Sequence, residues 1–443
     1  MKNSENHDDS DSARVPSGRL SRLGRLGSLA TTVAGGMLAE GARQIAKGNR
    51  PKASELLLTP ANARRVADQL AQLRGAAMKV GQLMSMDTGD ILPPELTEIL
   101  ARLRADAKPM PLSQLAVILE TNWGKDWKNH FRQFSFQPLA AASIGQVHSA
   151  HTKDERHLAL KIQYPGIRES INSDVDNVAT LLRVSGLLPK HMDIAPLLSE
   201  AKRQLHAEAD YKLEASWIRR YQTLLAENKD FILPDVHEDF CTPDILAMSF
   251  LQGVPVESLS GATQETRDRV IRLLLELLCR EIFEFRLIQT DPNFANYQYN
   301  SDSAQLILLD FGATREYPET ITEAYRSLMS GALTQNQEQM NAAAESIGFF
   351  GDYIRPEQRA AVIHVFQQAC EPLCFSGEYD FGNSNLAGRI RDVGLELSTE
   401  KEHWHTPPAD ALFLHRKLGG LYLLAAKLRA RVNVQDIFSA YLT

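Results

Sequence analysis

The sequence predicts an α+β protein of two lobes, preceded by a helical extension. Three observations carry that expectation. Apolar residues recur at helical spacing through 54–104. The period then drops to two in QVHSAHTKDERHLALKIQY, residues 146–164, as in a hairpin around a polar turn. From residue 264 onward helical spacing returns, interrupted by YQYNSDSAQLILLDFG at 297–312. The order is helices, a small strand-rich lobe, then a mainly helical lobe. The expected boundaries are 1–53 for a basic arm, 54–137 for the extension, 138–257 for the small lobe and 258–443 for the large one.

Composition sets bounds on function. Hydrophobic residues make up 44% and charged residues 23% of the 443, enough to build sizeable cores without staples. None of the four cysteines (Cys241, Cys279, Cys370, Cys374) sits in a CxxC pair, which points to a reducing compartment. A formal charge of -7 gives no basis for nucleic acid as a partner. No apolar run reaches about 18 residues, so no spanning helix is expected, including after Val432. The polar, acidic start is unlike a secretory signal, and residues 1–18 read as disordered. Beyond it, Arg19, Arg22 and Arg25 alternate with Leu20, Leu23 and Leu26. Residues 19–47 therefore read either as a helix lying on a membrane surface or as a basic arm with a partner in the same protein.

Each element follows from local signals. Leu70, Leu73, Ala77, Val80 and Met84 mark one helical face, and Pro93-Pro94 ends the helical stretch. Asp126 to Phe136 leads through Pro138 into AAASIGQVHSA at 140–150. That stretch is rich in alanine where a phosphate cradle would carry glycine. Residues 169–226 return to helix, with IRESINSDVDNVATLLRVSGLL as an inserted piece. ILPDVHEDFCTPDILAMSFLQGVPV reads as a pair of strands.

The chemistry concentrates in IQTDPNFANYQYNSDSAQLILLDFGATRE, residues 288–316. Asn296 follows Asp291 by five residues, and Asp310 ends the strand-like LILLD in a DFG tripeptide, 19 residues past Asp291. This is the spacing of a kinase-type catalytic loop and metal loop. Triphosphate chemistry needs Mg2+ on hard oxygen ligands, which Asn296 and Asp310 supply. A further carboxylate, Asp291, would orient the attacking hydroxyl or water. A second DFG in EYDFGNS at 378–384 follows no apolar strand and reads as a turn. Lys161 ends an alternating strand, 16 residues beyond Gly145, about where a nucleotide lysine stands behind its phosphate loop. Glu208, Asp210 and Glu214 are the helical carboxylates able to hold such a lysine, the first of them 47 residues beyond it. After DFG the chain enters helix almost at once, with no APE motif and no platform for a protein substrate.

These motifs resemble the UbiB family of atypical, kinase-like proteins that support ubiquinone (coenzyme Q) biosynthesis, over roughly residues 55–440. The matching pieces are Lys79-Val80-Gly81-Gln82 as KxGQ, AAASIGQ, EADYKLEA, TDPNFANY with DFG, and LHRKLGG at 414–420. The resemblance implies a protein-kinase-like fold whose KxGQ helix packs over the active site. It places Lys79 and Gln82 at the nucleotide pocket, with Lys79 paired to Glu208 or Asp210. Ala140, Ala141, Ala142, Ser143 and Gly145 would form the loop over the phosphates, and the alanines would stiffen it. Lys161 would contact the phosphates, with Glu208 orienting Lys161 or Lys79. Unlike an ordinary kinase, the chain carries Asp291 in QTD rather than HRD.

The implied activity is that of an ATP- and Mg2+-binding atypical kinase-like ATPase, working with membrane lipid or quinone-precursor molecules and with ubiquinone-biosynthesis proteins. Its expected place is cytoplasmic and peripheral on the inner membrane, and a homodimer is left open. The same residues would serve a small-molecule or lipid phosphotransferase, or an ATP-switched pseudokinase scaffold. Two further features take plain readings. His403 and His405 belong to a solvated turn, and Trp123 and Trp127 are packing residues.

Overall fold

The computed structural model describes residues 70, 73–87, 109–184, 194–291, 293–351, 354–386, 388–390 and 407–442. The chain divides into two compact units. The first comprises residues 1–84, 92–213 and 236–250, and the second 85–91, 214–235 and 251–443. The arm at 19–47, Pro93-Pro94, and His403 and His405 lie outside the described residues.

The first unit is built on a five-stranded antiparallel sheet. Strands β1 (Phe131–Phe134), β3 (Gly145–Thr152), β4 (His157–Gln163) and β6 (Ile245–Ser249) run in the order β1-β3-β4-β6, and β2 (Ala140–Ala141) pairs with β3. The hairpin expected around Lys153–Arg156 joins β3 to β4, with Val147 opposite Lys161. Alternation sorts the faces of β4. Leu158, Leu160 and Ile162 are fully buried against helix α2 (Leu112–Trp123) through Leu115 and Leu119. Trp123 and Trp127 are indeed packing residues: Trp127 is buried and meets the Phe131 and Phe134 rings edge-on, while Trp123 lies against Phe131. A polar chain runs through the same layer. His148 Nδ1 can only donate to the Ser135 carbonyl, 2.8 Å away, so Nε2 accepts from Gln146, whose Oε1 takes the Met110 N–H. Burial keeps this histidine's pKa below the usual value.

Helix α1 (Arg74–Asp87) carries the KxGQ residues, with Ala76, Ala77, Val80, Leu83 and Met84 buried. The inserted helix is α3 (Ile167–Val184); α4 (Ala195–Glu208) and α5 (Tyr211–Leu224) follow. Asp210 starts α5 as an N-cap, accepting the Lys212 and Leu213 N–H groups.

The second unit packs helices around short strands. Strand β5 (Phe231–Ile232) pairs in parallel with β10 (Gln305–Leu308), which pairs with β9 (Tyr297–Asn300), which pairs with β7 (Val254–Pro255). The stretch 232–256 holds strands as expected, and Val236 bridges Met248 within it, but the strands do not form one hairpin. Its strands enter two sheets, β6 beside β4 and β5 and β7 beside β10 and β9. Local alternation marks a strand, but its partner is chosen by non-local packing.

Helix α6 (Gln264–Arg280) is capped by Thr263, whose hydroxyl accepts the Thr266 N–H, and buries Val270, Ile271, Leu274 and Leu278. Its last turn loosens into a π-helical turn at Glu281–Phe285, closed by Arg286 in the left-handed region (φ 50°). Strand β8 (Leu287–Gln289) follows and pairs with β11 (Thr314–Glu316). Helices α7 (Glu319–Leu333), α8 (Gln337–Ile347), α9 (Pro356–Ala369), α10 (Glu371–Cys374), α11 (Ala409–Leu428) and α12 (Val434–Leu442) complete the unit. Strand β12 (Tyr379–Asp380) pairs with β13 (Arg431–Val432), and this places the second DFG in a turn. There the Asp380 carboxylate accepts the Gly382 and Asn383 N–H groups. No described helix is long and apolar enough to cross a membrane, and the four cysteines form no disulfide.

Candidate active site

In the first unit the alanine-rich stretch is the tip of a tight hairpin. Ala140 faces Val147, Ala141 faces Gln146, and the Ala142 N–H donates to the Gly145 carbonyl at 2.8 Å. None of the three alanines has positive φ, so the turn does not demand glycine for its backbone. Gly145 is required for another reason. A Cβ there would stand 2.4 Å from the Ile162 carbonyl oxygen on β4 and 3.0 Å from the Tyr211 hydroxyl. Close approach at this position is thus to the neighbouring strand and to the start of α5.

The hairpin tip is held from two sides. A Cβ on Gly75 would come within 2.7 Å of the Ser143 carbonyl oxygen, so α1 lies directly against the turn. The Ser143 hydroxyl donates to Glu208 at 2.8 Å, and Lys79 forms an ion pair with the other oxygen of Glu208. Of the two carboxylates considered for Lys79, Glu208 is its partner and Asp210 is spent on a helix cap. Gln82 is half-buried, two turns past the start of α1. Lys161 is buried on the face of β4 opposite Leu160 and Ile162, its ammonium 5.6 Å from the centre of the Tyr211 ring.

In the second unit Asp291, Asn296 and Asp310 sit on two loops tied to each other. Strand β8 delivers Thr290, whose N–H and hydroxyl both reach the Ala313 carbonyl. Asp291 Oδ1 accepts the Asn293 N–H, and Asn293 caps the 3-10 turn at Phe294–Asn296. The Asn296 amide nitrogen donates to Asp291 Oδ2 at 3.0 Å, which leaves the amide oxygen, the atom a cation requires, at the other end of the group. The Leu309 N–H donates to the Asn296 carbonyl at 3.0 Å, locking the catalytic loop to the metal loop one residue before Asp310. Asp310 Oδ1 accepts the Gly312 N–H.

An Mg2+ ion fits this donor set. Two hard oxygens, from Asp310 and the Asn296 amide, suit a cation whose remaining ligands are phosphate oxygens and water. Among the described residues no group of three or more His, Cys, Asp or Glu could form an all-protein metal cage. When bound, such an ion would neutralise developing charge on the phosphates.

Several residues beside these loops escaped the sequence reading. Glu214, one of three carboxylates considered for the lysine, is 0% exposed and receives the Phe311 N–H of DFG at 3.4 Å. Beneath β8 lies a small cavity lined by Tyr221, Glu281, Gln289, Asn296, Tyr297 and Asp310, among others. Glu281 is buried there in an ion pair with Lys417 of α11. Burial, followed by the charges of Glu281, Asp291 and Asp310, raises the Tyr297 phenol well above its ordinary pKa. Lys417 lies in LHRKLGG, a motif whose role its spacing does not reveal; nothing local marks Glu281 or Tyr221.

An ABC1 atypical kinase-like domain model matches residues 102–344. The rat protein "Atypical kinase COQ8B, mitochondrial" is 36% identical over 433 residues, covering 97% of this chain and 82% of that one. The Saccharomyces cerevisiae protein "Atypical kinase COQ8, mitochondrial" is 35% identical over 439 residues, covering 98% and 87%. Among solved structures, the Mycobacterium tuberculosis protein Rv3197 in complex with erythromycin is 25% identical, with a TM-score of 0.59 over 84% of this chain and 93% of that one. The α+β fold is kinase-like, and the chain belongs to the ABC1, or UbiB, family of atypical kinases.

Proposed function

We propose that this protein is a Mg2+-dependent, ATP-binding ATPase that supports ubiquinone biosynthesis and acts with lipid-like small molecules at a membrane surface. The observation that carries the reading is the Asp291–Asn296–Asp310 arrangement, two loops joined by backbone and side-chain hydrogen bonds. In this reading Asn296 and Asp310 hold Mg2+, and Asp291 orients the nucleophile. Lys161 contacts the α/β-phosphates, and Ala140, Ala141, Ala142, Ser143 and Gly145 lie over them. Lys79 and Gln82 face the nucleotide, with Glu208 holding Lys79.

A small or lipid-like partner is favoured over a protein substrate by the short path after DFG. Only six residues separate Gly312 from the start of α7 at Glu319, and three of them form β11. That leaves no activation segment on which a peptide could be laid. The mitochondrial relatives support a reading in which the protein works at an inner-membrane face, peripherally attached and in company with other biosynthetic proteins.

The test is ATP turnover by the purified chain, with and without liposomes and phenolic quinone-precursor analogues. Stimulation by both is expected, and Asp310→Asn should abolish turnover. Full turnover in Asp310→Asn would remove the magnesium assignment. Appearance of a phosphorylated organic product from labelled ATP would instead establish the phosphotransferase reading, which uses the same residues.

A further inference from the structure

The HRD brace of an ordinary kinase is missing from QTD, yet the loop carrying Asp291 needs a fixed position. We propose that the buried Lys417–Glu281 ion pair is the positioning device for the catalytic loop, replacing that brace from helix α11. The proposal rests on Asp291 serving as the nucleophile-orienting group.

The connections run outward from Glu281. One carboxylate oxygen takes the Lys417 ammonium. The other lies 2.8 Å from the Tyr221 hydroxyl and 3.3 Å from the Gln289 N–H, the backbone two residues before Asp291. The Tyr221 hydroxyl is also 2.9 Å from the Leu287 carbonyl, so its single proton is shared between the Glu281 carboxylate and the first residue of β8. Gln289 Oε1 in turn accepts from the Tyr297 hydroxyl, and Tyr297 directly follows Asn296. One carboxylate thus reaches the residues flanking Asp291 and Asn296 through at most two hydrogen bonds.

Backbone strain at the same place fits a device rather than a casual core pair. Glu281 opens the π-helical turn, a feature that often marks functional positions. Arg286 closes it in the left-handed region, a conformation that a long side chain does not favour. Such a joint persists only when its surroundings over-determine it. Glu281 is 1% exposed and Lys417 8%, so neither charge is stabilised by water. A hydrophobic pair of similar volume would commonly stabilise such a site as well or better. What the ion pair adds is an acceptor aimed at the Gln289 N–H.

The test compares Lys417→Met, Lys417→Arg and the double variant Glu281→Gln/Lys417→Met, which leaves no buried charge and so guards against simple unfolding. Hydrogen exchange is followed in peptides across the whole chain, together with ATP turnover. The expected result is faster exchange confined to 287–297 in Lys417→Met and in the double variant. The kcat should fall about tenfold or more with KM for ATP within about twofold, because positioning acts in the transition state. Lys417→Arg should recover most of kcat. Exchange unchanged at 287–297, or raised throughout the unit, overturns the proposal. So does wild-type kcat in a folded Lys417→Met. If the parent chain turns over no ATP, the function assigned above fails, while the exchange data still decide whether the pair holds the loop.

Discussion

Two lysine–glutamate pairs among the described residues, Lys79–Glu208 in the first unit and Lys417–Glu281 in the second, differ in what surrounds the carboxylate. In the first, Glu208 ends α4 with 13% of its side chain exposed, bound to Lys79 and to the Ser143 hydroxyl. In the second, Glu281 has 1% exposed and is bound to Lys417, Tyr221 and the Gln289 backbone. The first pair links a helix to a hairpin tip near solvent, where water can replace a lost partner. The second has no such replacement, because a buried charge stripped of its partner keeps its full desolvation cost. A similar pairing can therefore act as a latch in one place and a permanent brace in the other.

The largest effect should come from breaking the brace one-sidedly. Glu281→Ala leaves the Lys417 ammonium buried alone and should cost about 3–5 kcal/mol in chemical denaturation. An unchanged unfolding midpoint would show that the pair is no more demanding than its counterpart. Acid should also weaken this unit. His415, two residues before Lys417 on α11, stacks on Phe349 and shares a hydrogen bond with the Tyr325 hydroxyl, and burial pushes its pKa down to about 4. Between pH about 6.5 and 4 the unfolded chain binds a proton that the folded chain refuses. Stability is complete above that window and falls through it, by up to about 3 kcal/mol. His415→Gln should flatten that part of the stability–pH curve.

Gly145→Ala probes the sheet rather than the pairs, and forcing a Cβ toward the Ile162 carbonyl should cost about 2 kcal/mol. Lys79→Met should cost less than Glu281→Ala, about 1–2 kcal/mol, since Glu208 can be hydrated. A Lys79→Met loss as large as that of Glu281→Ala would erase the distinction drawn between the pairs. Ala142→Gly should have the smallest stability effect, below about 1 kcal/mol, because the turn does not need positive φ there. Its expected signature is a changed ATP-to-ADP affinity ratio by calorimetry. An unchanged ratio would show that the alanines do not tune nucleotide choice.

The two pairs also differ in how far the sequence revealed them. Lys79 stood in a motif, and its partner was narrowed to Glu208 or Asp210. The structure chose Glu208, because Asp210 is engaged in capping α5. The brace was invisible because Glu281 and Lys417 are 136 residues apart and no local pattern joins them. Spacing marks Glu214 only as a possible lysine partner, and its burial behind the Phe311 N–H is not legible there. Strand β1 was missed in Asp126–Phe136, where FRQF is too short to show alternation.

What the sequence determined by itself was everything that depends on near neighbours. Helical and alternating periods placed α1, α3 and the β3–β4 hairpin, and fixed spacing placed Asp291, Asn296 and Asp310 on two loops. Family-level motifs then identified the kinase-like class. Only the tertiary structure decided which partners meet across long separations: β5 beside β10, Glu208 with Lys79 and Glu281 with Lys417. It also decided why Gly145 must be glycine. The physical reason is common to all of these. Periodicity reports which face of an element is buried, but burial against a particular neighbour depends on shape and charge brought together from distant parts of the chain.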